Sequence, residues 1–327
     1  MVTTPPATTP GRRTEPTAGP TLRTVLGDLA PEQLGVCDAH DHLFLASPQL
    51  PGQELADPEA AAAELRAFRA AGGAAVIQWT PHGMGRRATE LPRLARESGV
   101  TVVAATGLHQ AAHYAPEFLA GLADPAALFV AELTEGIGPD RGADAPHARP
   151  RAGMIKVAGG FHGLDRHARR TMTAAAEAHR ATGATIGIHL ELGTGALDVL
   201  DLLCGALGVP PHRVVLGHLN RSPDAAVHRM AAEAGAYLAF DGPSRAHHAT
   251  DWRLPDAVAA LCDAGFTDRI LLGGDTTTAG ARSVNGGPGM PYLLHRLRPR
   301  LELAVGTDAV ERMLRANPAR AFATNWP

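Results

Sequence analysis

Residues 184–218 read ATIGIHLELGTGALDVLDLLCGALGVPPHRVVLGH. Two short apolar runs, 184–189 and 213–218, each end in a histidine, and an Ala/Leu-rich amphipathic run, 195–207, lies between them. Strand, helix and strand in that order form a parallel βαβ unit, because parallel neighbours need a long crossover and a helix supplies it. The same alternation continues outward in both directions. Further apolar runs lie at 35–42, 74–80, 100–106, 154–157, 236–240 and 269–274, and further helical patterns at 57–70, 165–182, 223–234 and 254–264. Pro and Gly punctuate the joins. Eight such strands in 327 residues predict an α/β fold, a closed (β/α)8 barrel of the TIM type rather than an open sheet. Residues 289–322 would add helices after the eighth strand and cover the outside of the barrel.

Composition narrows the function. The formal net charge is −3 and aromatics make up 4%, so neither a basic face nor a stacking platform for nucleic acid is expected. No run is long enough to span a membrane. Cys37, Cys204 and Cys262 are too few and too scattered for a disulfide framework or a zinc knuckle, which fits a reducing, cytoplasmic setting. Residues 1–21 are rich in Thr and Pro and are expected to be disordered, which leaves 22–327 as one barrel domain. Residues 139–151 read as a charged loop before the fourth strand.

The polar residues gather at the ends of the apolar runs, where a barrel of this type places its active site. The first run ends Asp38-Ala39-His40-Asp41-His42; residues two apart share a face, so both imidazoles can reach one metal from inside the barrel while Asp41 points away. The fifth and sixth end at His189 and His218, and the eighth at Asp275. Taken singly, each histidine could be a satisfied core residue and Asp275 a helix cap. The fourth run, Met154-Ile155-Lys156-Val157, holds the sole lysine of the chain; every other member of the Lys+Arg total of 30 is arginine. A buried lysine amine can lose its proton, whereas a guanidinium does not. The neutral amine reacts with CO2, and an N6-carboxylysine at Lys156 would be anionic and able to bridge two metal ions. Five weak signals on five strands, all at one end, together predict a binuclear metal site held by His40, His42, Lys156, His189, His218 and Asp275.

At these residues the chain resembles the phosphotriesterase family of the amidohydrolase superfamily, from about residue 22 to 322. The resemblance is carried by Thr24-Val25-Leu26-Gly27, Leu34-Gly35, Thr106-Gly107-Leu108, Glu135-Gly136-Ile137, Gly153-Met154-Ile155-Lys156-Val157-Ala158, Gly217-His218-Leu219, Phe240-Asp241 and Asn317-Pro318-Ala319-Arg320. It implies that His40, His42 and Asp275 bind the more buried of two divalent ions and His189 and His218 the other, with carboxylated Lys156 and a hydroxide between them. Zinc is the expected metal, with manganese, cobalt or iron as alternatives. Asp275 would be the catalytic proton acceptor.

The chain also departs from the family. Gly242 follows Asp241 where phosphotriesterases carry a relay histidine and many lactonases an arginine, and Leu219-Asn220-Arg221 replaces an acidic cluster after His218. The loop Arg282-Ser283-Val284 resembles that of members acting on phosphorylated sugar lactones, with Val284 in a tyrosine position; Arg245 lies near their lysine. Arg245 and Arg282 are therefore expected to grip an anionic substrate group, or else to be solvated loop residues. His109, His113, His247 and His248 are expected to line the pocket or the surface rather than bind metal. The expected activity is hydrolysis of a small-molecule lactone or carboxylic ester. The alternatives are a phosphotriester or phosphoester hydrolase and, outside enzymes, a ligand-binding barrel without turnover. A homodimer is compatible with the family.

Overall fold

The computed structural model describes residues 19–138, 149–242 and 248–327. Eight strands pair in sequence order, and every pairing is parallel. They are Cys37–Asp41, Ala75–Gln78, Thr101–Gly107, Ala152–Ala158, Ile186–His189, Val214–Gly217, Tyr237–Asp241 and Ile270–Gly273, called strands one to eight below. The N–H groups of Gly274 and Asp275 both donate to His40 O (3.1 and 2.9 Å), which draws strand eight back to strand one and nearly closes the barrel. Each expected run is a strand, and the expected helical stretches contain Pro58–Ala70, Arg166–Thr182, Ala196–Leu200, Ala225–Glu233 and Leu254–Asp263. The helices Leu91–Ser98 and Pro125–Thr134 complete the alternation. Asp57, Asp124, Asp165 and Asp224 each cap a following helix with a carboxylate oxygen, the favoured chemistry at that position.

The strands sort their side chains into two cores. Val76, Val102, Ile155, Ile188, Leu216, Leu238 and Leu272 face the helices, while Cys37, Ala39, Ile77, Val103, Met154, Val215, Ala239 and Leu271 fill the barrel. Trp79 is the largest interior side chain, and bare Cα positions make room for it: a Cβ on Gly187 would lie 2.8 Å, and one on Gly217 3.4 Å, from its ring. The lower end of the barrel is stoppered by Leu22 of an N-terminal hairpin, by Leu34 and by Phe322. Thr21 bridges to Thr324, and Asn317 of the final helix donates to Thr267 O (2.9 Å) and Ile270 O (2.8 Å), so the chain ends tie down the base of strand eight. The ordered domain therefore already includes Thr21. Residues 1–18 and most of the 139–151 loop lie outside the described residues.

Strand one breaks the alternation at the place that matters. Cys37 and Ala39 face inward, so strict alternation would send His40 outward with Asp38. The pairing register shifts between Asp38 and Asp41, and His40 turns in to stack on Trp79 at 3.8 Å between ring centroids. The same irregularity brings Asp38 and Asp41 together behind the histidines. Asp38 Oδ1 accepts from His40 N and Gly274 N, and Asp41 Oδ1 from His42 N and Thr276 N. The carboxylate pair thus staples the end of strand one to the end of strand eight. Burial, then the charge of Asp41, pushes Asp38 well above the usual carboxylate range.

Candidate metal centre and active site

A cavity of about 200 Å³ opens at the C-terminal mouth of the barrel. His40, His42, Lys156, His189, His218 and Asp275 all line it, so the residues expected from five strands meet in one place. Leu45, Leu50 and Met84 supply an apolar wall, and His109 and His113 line it as expected. Local backbone conformation aims two of the polar groups. His218 and Asp275 follow the last residues of strands six and eight with φ of +66° and +54°, the left-handed region that non-glycine residues rarely occupy. Each such residue costs about 1 kcal/mol and persists where the surroundings over-determine it, most often at functional sites.

The partner of one ring nitrogen assigns the role of the other. His42 Nδ1 lies 2.7 Å from Thr80 Oγ1, whose hydroxyl donates to Phe44 O at 2.5 Å; Thr80 therefore accepts from Nδ1–H, leaving the Nε2 lone pair free. His189 Nε2 lies 3.0 Å from Glu191 Oε2, an acceptor, which places the lone pair on Nδ1. Asp241 sits between two rings, with Oδ1 3.1 Å from His40 Nδ1 and Oδ2 2.9 Å from His218 Nδ1, close but not aligned as hydrogen bonds. The remaining nitrogens turn toward a common centre. His40 Nε2 and His42 Nε2 lie 3.6 and 3.4 Å from Asp275 Oδ1, and His218 Nε2 lies 2.8 Å from His189 Nδ1. At that distance one ring donates an N–H to the other's lone pair, or a cation takes a lone pair from each.

Burial also keeps the rings of His42, His189 and His218 neutral. It pushes His42 and His189 down to about 4 and His218 well below its ordinary value. The same burial brings the Lys156 amine down to about 7, against the pull of Asp275 and Glu191 in the other direction. Burial would raise Asp275, but Arg221, His218, His42 and His40 together hold it well below the carboxylate range. Neutral imidazoles beside an ionised carboxylate are the donor set a divalent cation takes. His40, His42 and Asp275 gather their donor atoms within 4.8 Å of one another, and His40, His218 and Asp241 form an overlapping triad. The first set faces the cavity, whereas Asp241 stands behind the rings and orients them, as carboxylates behind metal-binding histidines do. The residues present therefore fit a metal centre.

The expected arginines do not join it. Arg282 is buried, and its guanidinium donates to Leu43 O and to Asp57 O (3.3 Å). It clamps the loops after strands one and eight, and it is absent from the cavity lining, because main-chain carbonyls within reach satisfy it first. Arg245 and His247 lie outside the described residues, as does the side chain of His248. Arg221 lines the cavity instead and is paired with Asp275 Oδ2. The sequence reading named no role for Thr80, Glu191, Asp241 or Arg221. Position offered a clue for three of them: Thr80 and Asp241 fall at the ends of apolar runs, and Glu191 stands two residues after His189.

Comparison with known proteins agrees with this geometry. A phospho-furanose lactonase of Mycoplasmopsis agalactiae is 31% identical over 331 residues, covering 94% of this chain and 92% of its own. Among solved structures, an amidohydrolase from Mycoplasma synoviae superposes with a TM-score of 0.86 at 29% identity, over 94% of this chain and 93% of that one. A lactonase from Listeria monocytogenes superposes with a TM-score of 0.82 at 26% identity, over 92% and 98%. The model of the phosphotriesterase family matches residues 20–322, a span that holds every strand of the barrel and every residue around the cavity. With that match over the whole ordered barrel, this chain belongs to the phosphotriesterase family.

Proposed function

We propose that the chain is a binuclear metal-dependent hydrolase that opens a small lactone or carboxylic ester. The observation that carries the proposal is the convergence of His189 Nδ1 and His218 Nε2, 2.8 Å apart, beside Asp275 at the barrel mouth, two imidazole nitrogens that a divalent cation can take as ligands. In this reading His40, His42 and Asp275 would hold one ion, His189 and His218 a second, and Lys156, as N6-carboxylysine, both. Zinc suits an imidazole-rich set, with manganese, cobalt or iron as alternatives. Bound there, the ions would supply Lewis acidity toward the substrate oxygen and an acidified water.

The protein's own groups do the rest. Lys156 is buried and its amine titrates near 7, so neutral amine is available at physiological pH. Its nitrogen forms a bond to the carbon of CO2, an N–H proton leaves to solvent, and the side chain becomes an anion. Asp275, held ionised by Arg221 and the imidazoles, accepts a proton from the attacking water and returns it to the leaving alkoxide. Leu45, Leu50 and Met84 seat the carbon skeleton. A cavity of about 200 Å³ suits one small ring better than a phosphotriester with an aryl arm. The phospho-furanose lactonases among the relatives support a sugar-lactone substrate.

The test is a hydrolysis panel on metal-loaded protein: lactones, phosphorylated lactones, simple esters and paraoxon. Lactones should exceed paraoxon in kcat/KM by roughly 100-fold or more, the scale of a few kcal/mol of transition-state discrimination. Protein that carries close to two ions per chain and turns over none of them would overturn the proposal.

A further inference from the structure

Arg221 is the only guanidinium among the described residues that line the cavity. Its place is rigidly set. His218, in the left-handed conformation, starts the short turn Leu219–Arg221, and the neighbouring Asn220 is locked to strand seven in both directions. Asn220 Nδ2 donates to Asp241 O at 2.6 Å, and Asp241 N donates to Asn220 Oδ1 at 3.0 Å. The Arg221 side chain is 7% exposed. One Nη donates to Asp275, and the buried Nε has no hydrogen-bond partner among the described residues. A guanidinium taken out of water needs its donors met, and this one is short of acceptors.

Its one acceptor among the described residues is also contested. Asp275 Oδ1 faces His40 and His42, and Oδ2 lies 3.7 Å from His218 Nδ1 as well as against Arg221. Resting on the proposed function, in which Asp275 serves metal and proton, we propose that Arg221 is the specificity-determining residue that recognises an anionic group on the substrate. Its planar fork matches the paired oxygens of a carboxylate or a phosphate. The pocket then selects charged lactones or esters over neutral ones. Arg282, by contrast, has its donors on main-chain carbonyls and is not free for this role.

The experiment compares metal-loaded wild type, R221M and R221K on three lactones of similar ring size: one neutral, one bearing a carboxylate, one bearing a phosphate ester. Circular dichroism and metal content establish that each variant is folded and loaded. Wild type should prefer at least one charged lactone by about tenfold or more in kcat/KM. In R221M that preference should collapse toward unity, with a loss on the charged substrate of roughly 30- to 100-fold, the scale of one charge-assisted contact. R221K should recover part of the preference. Which charged lactone suffers more decides between carboxylate and phosphate. Equal losses on all three lactones would show that Arg221 serves only Asp275, and an undiminished preference would show that another group reads the charge; either result overturns the proposal. Inorganic phosphate gives a second readout. It should raise the melting temperature of wild type and not that of R221M, and an equal rise in both also overturns it. If wild type hydrolyses none of the lactones, the ester reading fails, and the phosphate comparison still decides the role of Arg221.

Discussion

Behind strand three, Arg86 donates to both oxygens of Glu132 and to Ala105 O (2.9 Å), while Thr106 (2.5 Å) and His82 (3.1 Å) add to the same carboxylate. At the mouth, six imidazoles, a lysine and an aspartate crowd one cavity. Both clusters are buried and charged. In the first, the cation and the anion are both protein groups, and hydrogen bonds saturate the carboxylate, with only the Arg86 Nε donor left over in that pair. In the second, donor nitrogens point at one another and at a carboxylate that is already shared. A buried carboxylate that protein donors saturate is scaffold, while ligand nitrogens that converge on one shared carboxylate leave a place for a cation. Both contain histidine and a carboxylate, so residue types alone do not separate them; the direction of the lone pairs does.

Lys156→Ala should separate the two clusters most sharply. On the proposed function, metal content should fall from near two ions to one or fewer, and lactone hydrolysis by on the order of a thousandfold or more, because the ligand proposed to serve both ions would be gone. Elemental analysis with steady-state kinetics checks this, and a variant that keeps both ions and its turnover would place Lys156 with the scaffold. Glu132→Gln should do the opposite. Breaking a buried pair by removing one partner costs about 3–5 kcal/mol, readable by urea unfolding, while metal content should stay near wild type.

The same variant carries a pH signature. Burial would raise Glu132, but Arg86 and His82 hold it at about 2, below its unfolded value of 4.5. A carboxylate depressed in the fold contributes stability that is fully present above the unfolded value and lost as pH falls through the folded one. Wild type should therefore lose stability between about pH 4.5 and 2 more steeply than Glu132→Gln. Parallel acid limbs would mean that Glu132 is not ionised in the fold.

Glu191→Gln is the next smaller effect. Removing the carboxylate behind His189 should weaken metal binding by about 10- to 100-fold in a chelator competition, with little change in unfolding. Thr80→Val comes last, since it removes one hydroxyl behind His42 and should cost about threefold to tenfold in the same assay. Should Thr80→Val match Lys156→Ala, the distinction between the residues facing the centre and those backing them would fail.

The strands, their order and the six cavity residues were legible in the linear sequence, because apolar periodicity and the placement of polar residues at strand ends are local properties. The lone lysine was legible because every other member of the Lys+Arg total is arginine, which cannot perform a lysine amine's chemistry. The two arginines were not. Arg221 and Arg282 both follow strand ends, and nothing in the chain says that one reaches Asp275 while the other meets Leu43 O and Asp57 O. Arginine carries several donors on a long stem, so its partner is whichever acceptor the folded loops bring nearest.

What the sequence by itself determined, then, is the alternation that makes the barrel and the identity of the side chains at its mouth. Tertiary structure alone decided the irregularity that turns His40 inward onto Trp79, and the cross-strand contacts from Asp241 and Thr80 that set which nitrogens of His40, His42 and His218 face the centre. The physical reason is that pleat and hydrophobic period follow from neighbours along the chain. The hydrogen-bond partner of a buried imidazole comes mostly from another strand, and it exists only once the barrel has closed.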